Sequence, residues 1–297
     1  MRPIALVVIL LLRPAPGAAV ELLVGGDLLA GRGVDLTRLR GLRSLHHGRH
    51  LIIVNLESPL APCLSGGSVT RPRLCGDPTA ATALKQAGID AVTLANNHAL
   101  DAGARGLQRT AAVLRRAGIV PLGMQAALTG APRPESLGSL TVVAASLTPA
   151  AHAPGSTVGM PGPSDLARAV CLGLRRWASR PVLVLLHGGR ELDPRPAPWE
   201  AAYVDAVVRA GAAAVVMHGA HVIRPLQRQR SPWFAPTSRV PVHLGLGNLL
   251  FDQRDPRARL GALLHLRFTR GRARVLGIAC VDTLEGGVRP CPGETER

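Results

Sequence analysis

Aromatic side chains are nearly absent: three Phe, three Trp and one Tyr in 297 residues. A core built from this chain must therefore be packed with Leu, Val, Ala and Ile. Nucleic-acid binding by base stacking on aromatic platforms has little to work with. Lysine is rarer still. Lys85 is the single lysine, so arginine supplies nearly all of the 35 basic residues, against 19 acidic ones. A formal charge of +16 suits an anionic polymer, a membrane surface or nucleic acid. The arginines are scattered along the chain and form no single stripe. With so few aromatics beside them, no nucleic-acid partner is expected. Long apolar runs are also missing, and no segment has the length needed to span a bilayer as a helix.

What is present is apolar and turn-rich. Hydrophobic residues make up 47% of the chain, with 33 Gly and 25 Pro. That is enough material for one large α/β domain or two small ones. Arg2, the apolar run 4–12 and the small residues Gly17, Ala18 and Ala19 have the layout of a secretory signal cut after Ala19. The competing readings are an uncleaved anchor and a buried first strand. The first predicts a signal over 1–19, one domain over 20–297, and export to a periplasmic or extracellular location. Export permits disulfides. Cys63 and Cys75 flank a Gly/Ser/Pro-rich loop, and Cys280 and Cys291 flank a C-terminal turn. Both pairs are expected to be bridged, each contributing about 3 kcal/mol on a chain-entropy argument. Cys171 is left over as a buried thiol. The spacings match no zinc ribbon.

Apolar runs at 20–24, 51–54, 91–95, 140–145, 182–186, 213–217 and 242–246 predict strands, with two more near 262–268 and 275–281. Helical periodicity covers 79–87, 103–117, 165–177 and 199–209, with Gly88 and Gly118 as stop signals. A Pro/Gly-rich loop fills about 148–163. The alternation predicts α/β layering. Most of the strands end in a residue able to bind metal or move protons, and in open α/β sheets sites form beyond the carboxyl ends of the strands.

Asp27 follows the first strand in Gly25-Gly26-Asp27 and is equally readable as a helix cap. Glu57, in Asn55-Leu56-Glu57, suits a bridge between two cations, or a surface turn. Asn96-Asn97-His98 with Asp101 is the most specific segment. Asn97 offers a neutral amide oxygen, His98 a donor to a phosphoryl oxygen, and Asp101 a carboxylate that orients the imidazole. His187 in His187-Gly188-Gly189-Arg190-Glu191 and the pair in His218-Gly219-Ala220-His221 follow apolar strands. A structural, hydrogen-bonded core histidine is the competing reading for each. Imidazole with carboxylate and amide donors suits Zn, Mn or Fe. Asn248 and Asp252 in Gly247-Asn248-Leu249-Leu250-Phe251-Asp252 read as loop supports. His46, His47 and His50 read as a surface cluster, and His152, His243 and His265 have no partner motif.

These six segments, in this order from Leu22 to Asp252, resemble the CapA family of capsule and poly-gamma-glutamate biosynthesis proteins, a branch of the calcineurin-like metallophosphoesterases. The resemblance implies a four-layer α/β/β/α metallophosphoesterase-like sandwich. It implies two divalent ions held by Asp27, Glu57, Asn97, His187, His218 and His221, with His98 catalytic and Asp101 supporting it. It also implies a metal-dependent hydrolase acting on phosphoester or related bonds, or else a non-catalytic assembly factor that binds an anionic cell-surface polymer. Capsule-synthesis membrane proteins are the implied partners. Calcineurin-like phosphatases usually carry Asp-x-His at the first strand; here Leu29 stands at the His position.

Overall fold

The computed structural model describes residues 19–45, 50–65, 72–149, 159–232, 239–283 and 288–291. The expected signal lies outside the described residues except for Ala19, as do His46, His47 and His152.

Two sheets form the centre. Numbered along the chain, the first contains β1 (Val20–Leu28), β2 (His50–Leu56), β3 (Ala91–Thr93) and β4 (Val120–Leu122), all parallel. On the other side of β1 it continues antiparallel through β12 (Leu260–Thr269), β13 (Arg272–Asp282) and β14 (Val288–Pro290). A short strand, β11 (Asn248–Leu250), pairs with the end of β1. The second sheet runs in the order β5 (Pro134–Leu137), β6 (Leu140–Ser146), β7 (Val182–His187), β8 (Ala214–His218), β10 (Val240–His243), β9 (Leu226–Gln229).

Strand alternation sorts the apolar residues into layers. Leu22, Val24 and Ile53 of the first sheet meet Val142, Leu183, Leu185 and Val216 of the second in one cluster. Their neighbours Leu23, Ile52 and Val54 point the other way. They join Leu84 of α1 (Ala80–Gln86) and Leu107, Ala111 and Leu114 of α2 (Gly103–Arg116). Val182, Val184 and Leu186 pack on Leu166 and Val170 of α4 (Pro163–Arg176) and Val204, Val207 and Val208 of α5 (Pro198–Arg209). A further short helix, α3 (Met124–Thr129), adds Ala126 to the inter-sheet cluster. The result is the expected α/β/β/α order, with helices on both outer faces and an apolar seam between the sheets. Covering both faces explains why the parallel strands read as continuous apolar runs.

Several expectations shift. The first strand does not stop at Gly25-Gly26 but runs on to Leu28, with an irregularity between Val24 and Asp27. Gly26 serves close approach: a Cβ there would sit 2.0 Å from the Gly247 carbonyl oxygen. Its bareness lets the segment leading into β11 lie against the end of β1. The strand expected at 242–246 is found at Val240–His243. Cys63–Cys75 and Cys280–Cys291 are bridged. Cys171 is half-buried on α4 instead of fully enclosed, because its position borders the Val204–Val208 cluster and does not enter it. No helix among the described residues is long and apolar enough to cross a membrane.

Candidate metal centre

The parallel strands of both sheets deliver their polar ends to one place. Asp27 is the register partner of Asn55 across β1 and β2, and His187 is the partner of His218 across β7 and β8. Asp27, Glu57, His187, His218 and His221 are each no more than 4% exposed.

One carboxylate oxygen of Asp27, one of Glu57 and one ring nitrogen of His187 lie within 4.8 Å of one another. His187 Nε2 is 3.4 Å from Glu57 Oε1. His221 joins from the next loop, with Nδ1 3.4 Å from Asp27 Oδ2 and Nε2 3.9 Å from Glu57 Oε2. Gly219 (φ +93°) makes the tight turn that carries His221 inward, and a Cβ there would meet His187 Nε2 at 2.9 Å.

The donor atoms are held by neutral partners. Asp27 accepts at Oδ1 from Asn55 Nδ2 (2.7 Å) and at Oδ2 from the Gly219 N–H (2.9 Å). Asn55 Nδ2 also lies 3.1 Å from His187 Nδ1, and Asn55 Oδ1 accepts from Asn96 Nδ2 (3.1 Å). Asn96 donates again to the Leu56 carbonyl (2.8 Å). His221 Nδ1 donates to Asn248 Oδ1 (2.8 Å), whose own amide donates to Gln253 Oε1 and the Ala258 carbonyl. The other ring nitrogen, His221 Nε2, faces Glu57 Oε2 at 3.9 Å. His218 Nε2 donates to the Gly25 carbonyl (3.0 Å), which leaves Nδ1 bare.

Among the described residues, the buried atoms with no hydrogen-bond partner include Glu57 Oε2 and His218 Nδ1 at this site and Asn97 Oδ1 on the loop after β3. Buried polar groups are normally paired, so the bare acceptors Glu57 Oε2 and His218 Nδ1 call for a partner. Charge points the same way. Burial and the Asp27 carboxylate push the Glu57 carboxyl well above its ordinary range, with Glu191 and Asp101 adding to the effect. Burial raises Asp27 too, but His221, His218, His187 and the Gly219 N–H outweigh it and bring it down. Burial drives His187 down to about 3, against the pull of Asp27, so its ring is neutral at neutral pH. Two carboxylates gathered beside imidazole nitrogens, with His187 uncharged, are a donor set that fits a divalent cation.

Asn97 stands on the loop after β3, where Asn96 is tied to Asn55 and Leu56. His98 and Asp101 form a separate dyad on that loop. His98 Nδ1 donates to Asp101 Oδ2 (2.8 Å), and the charge of His98 is felt at His187. Asp101 is fully buried, accepts from the Leu74 N–H (2.6 Å), and takes Leu64 N–H and Arg73 Nη1 on its carbonyl (both 3.0 Å). The Cys63–Cys75 bridge thus closes a strap around it. Leu29 packs against Leu74 and Phe251 and contributes no ligand.

Sequence reasoning missed Asn55 as the hub of the site. It also missed Arg224 entirely. That side chain is buried, pairs with Glu200 Oε2 (2.8 Å), and donates to the Arg190, Asp193 and Leu244 carbonyls. It pins the loop after His187. An arginine in Val222-Ile223-Arg224-Pro225 carries no motif that would have marked it.

The family model for bacterial capsule synthesis protein PGA_cap matches residues 21–253. This chain belongs to the PGA_cap family. The match covers every candidate ligand of this PGA_cap chain. The capsule biosynthesis protein CapA of Bacillus anthracis is 27% identical over 218 residues, which is 70% of this chain and 51% of that protein. The chain thus spans about half the length of the curated relative. Among solved structures, TT1561 of Thermus thermophilus is 12% identical, with a TM-score of 0.44 over 83% of this chain and 94% of that one.

Proposed function

We propose that this PGA_cap chain is an exported, metal-dependent hydrolase that cleaves a phosphoester or related bond in the building of an anionic cell-surface polymer. The observation that carries the reading is the buried set Asp27, Glu57, His187 and His221, with bare acceptor atoms at Glu57, His218 and Asn97.

Asp27, Glu57, Asn97, His187, His218 and His221 would hold two divalent ions of the Mn, Zn or Fe type. When bound, such ions polarise a phosphoryl or carbonyl oxygen and acidify water. The chain's own residues do the rest. Asn55, Gly219 and Asn248 fix the orientation of Asp27 and His221, so the donors need not reorganise. In this reading His98, steadied by Asp101, donates a hydrogen bond to a leaving or non-bridging oxygen, which its pairing with Asp101 supports.

Two bridged cysteine pairs support export, and the capsule biosynthesis relative supports the polymer context. A panel of phosphoesters assayed with Mn and Zn tests the activity. Turnover should fall by about 100-fold or more in His98→Ala without loss of bound metal. A chain that binds metal but turns over no substrate in the panel, with wild type and His98→Ala indistinguishable, counts against the hydrolase.

The charge of +16 favours a second reading, a non-catalytic assembly factor seated with capsule-synthesis membrane proteins. It predicts salt-sensitive binding to an acidic polymer that is indifferent to His98→Ala. Absence of binding at low salt removes it.

A further inference from the structure

A second cluster of metal-type side chains lies at the opposite end of β1. Glu21 and Asp27 are six residues apart on that strand, roughly 20 Å at strand rise. Glu21, His50 of β2 and His265 of β12 bring one carboxylate oxygen and two ring nitrogens within 4.8 Å of one another. Glu21 is the register partner of His50, and His265 lies diagonally across, opposite Leu23. All three stand on the face that carries Leu23, Ile52 and Leu263.

The geometry is convergent. Nε2 of His50 and Nε2 of His265 both address the same atom, Glu21 Oε2, the second at 3.1 Å. The two rings meet edge to face, with centroids 4.7 Å apart. Arg267 takes the other oxygen, with Nε 2.7 Å from Oε1. The side chains of His50, Glu21 and His265 are 12%, 18% and 26% exposed, so water can reach the cluster.

We propose that Glu21, His50 and His265 form an accessory site for a borderline divalent cation such as Zn²⁺, bound through Oε2 and the two Nε2 atoms and completed by water. Two imidazoles and one carboxylate are a donor set that zinc takes, with an open position left over. In the metal-free chain each ring must carry a proton on Nε2 to satisfy Oε2. A divalent cation would take both Nε2 lone pairs, each ring then carrying its proton on Nδ1, and would tie three strands together. The arginine does not block this: it occupies Oε1, and its side chain is 47% exposed, so it can turn to solvent.

This inference does not depend on the proposed hydrolase. The test is Zn²⁺ stoichiometry on the full chain by equilibrium dialysis with elemental analysis, in wild type and His265→Gln. It is repeated in a His187→Ala background that disables the buried centre. His265→Gln should remove one zinc equivalent in both backgrounds. Unchanged stoichiometry in both would overturn the site and leave the cluster as a hydrogen-bonded clamp. A second measurement covers a variant that fails to fold: ¹⁵N imidazole spectra of wild type titrated with Zn²⁺. The Nε2 signals of His50 and His265 should shift saturably. Signals that stay put through the titration would likewise overturn the proposal.

Discussion

Asn55 shows how much one neutral side chain can hold. It touches Asp27, His187 and Asn96 at once, and every atom involved is buried. Its amide spends both polar ends on site residues, so replacing it strips partners from three groups that cannot reach water. Asn55→Ala should destabilise the chain by about 2–4 kcal/mol, since each orphaned buried polar group costs about 1–3 kcal/mol. Denaturant unfolding measures this. A change below about 0.5 kcal/mol, the size of an ordinary surface substitution, would mean the hub holds nothing in place. The candidate site was largely readable from sequence at this scale, because the ligand-type residues sit directly at strand ends. Asn55 was visible as a neighbour of Glu57, but its role was not. Hydrogen bonds linking residues 28 and 132 positions apart leave no local pattern.

At the scale of elements, connections between strands do the positioning. The Cys63–Cys75 loop places Leu64, Arg73 and Leu74 around Asp101, which in turn holds His98. Reducing that bridge, or making Cys63→Ser with Cys75→Ser, should cost about 3 kcal/mol in stability for a loop of this length. It should also broaden the His98 ring resonances while leaving those of His221 sharp. Equal effects on both rings would mean the strap acts only on global stability. The Arg224–Glu200 pair does the same for the loop after β7. Arg224→Met leaves the Glu200 carboxylate buried without its cation and should cost about 3–5 kcal/mol. Adding Glu200→Gln should recover part of the loss. If the double variant is no more stable than the single one, lost packing of the arginine stem is the whole effect.

The same scale explains what sequence reading missed among the elements. The long strands and amphipathic helices announce themselves by period. β4, β5, β9 and β11 have only three or four residues each, too few for a period to repeat. The end of β1 was misplaced because glycine reads as a stop. Here Gly26 is needed for the close approach of Gly247. His50 reads as a surface residue and His265 as partnerless, yet they meet through Glu21, because strands far apart in sequence become neighbours of β1.

For the whole molecule, the two sheets and their helical covers were legible because both faces of each parallel strand are apolar. Acid sensitivity is a consequence of that burial. His243 lies in the second sheet with Nδ1 unpaired, and burial, helped by the charge of His218, lowers it from 6.5 to about 4. The folded chain therefore binds fewer protons than the unfolded chain between those values. The contribution of His243 is complete above pH 6.5 and is lost as the pH falls toward 4, roughly 3 kcal/mol in all. His243→Leu should flatten stability against pH over that window in urea titrations. A slope identical to wild type would show that the ring is hydrated or paired in solution.

Gathering two carboxylates and three imidazoles into one buried cluster makes physical sense if positive ions complete it. Elemental analysis of the purified full chain, set beside its Glu57→Gln and His187→Ala variants, tests this most directly. Wild type should retain at least two equivalents of Mn, Zn or Fe after dialysis, and each variant should lose at least one. Wild type that holds no divalent metal after exposure to Mn and Zn, and melts at the same temperature with and without them, would contradict the account.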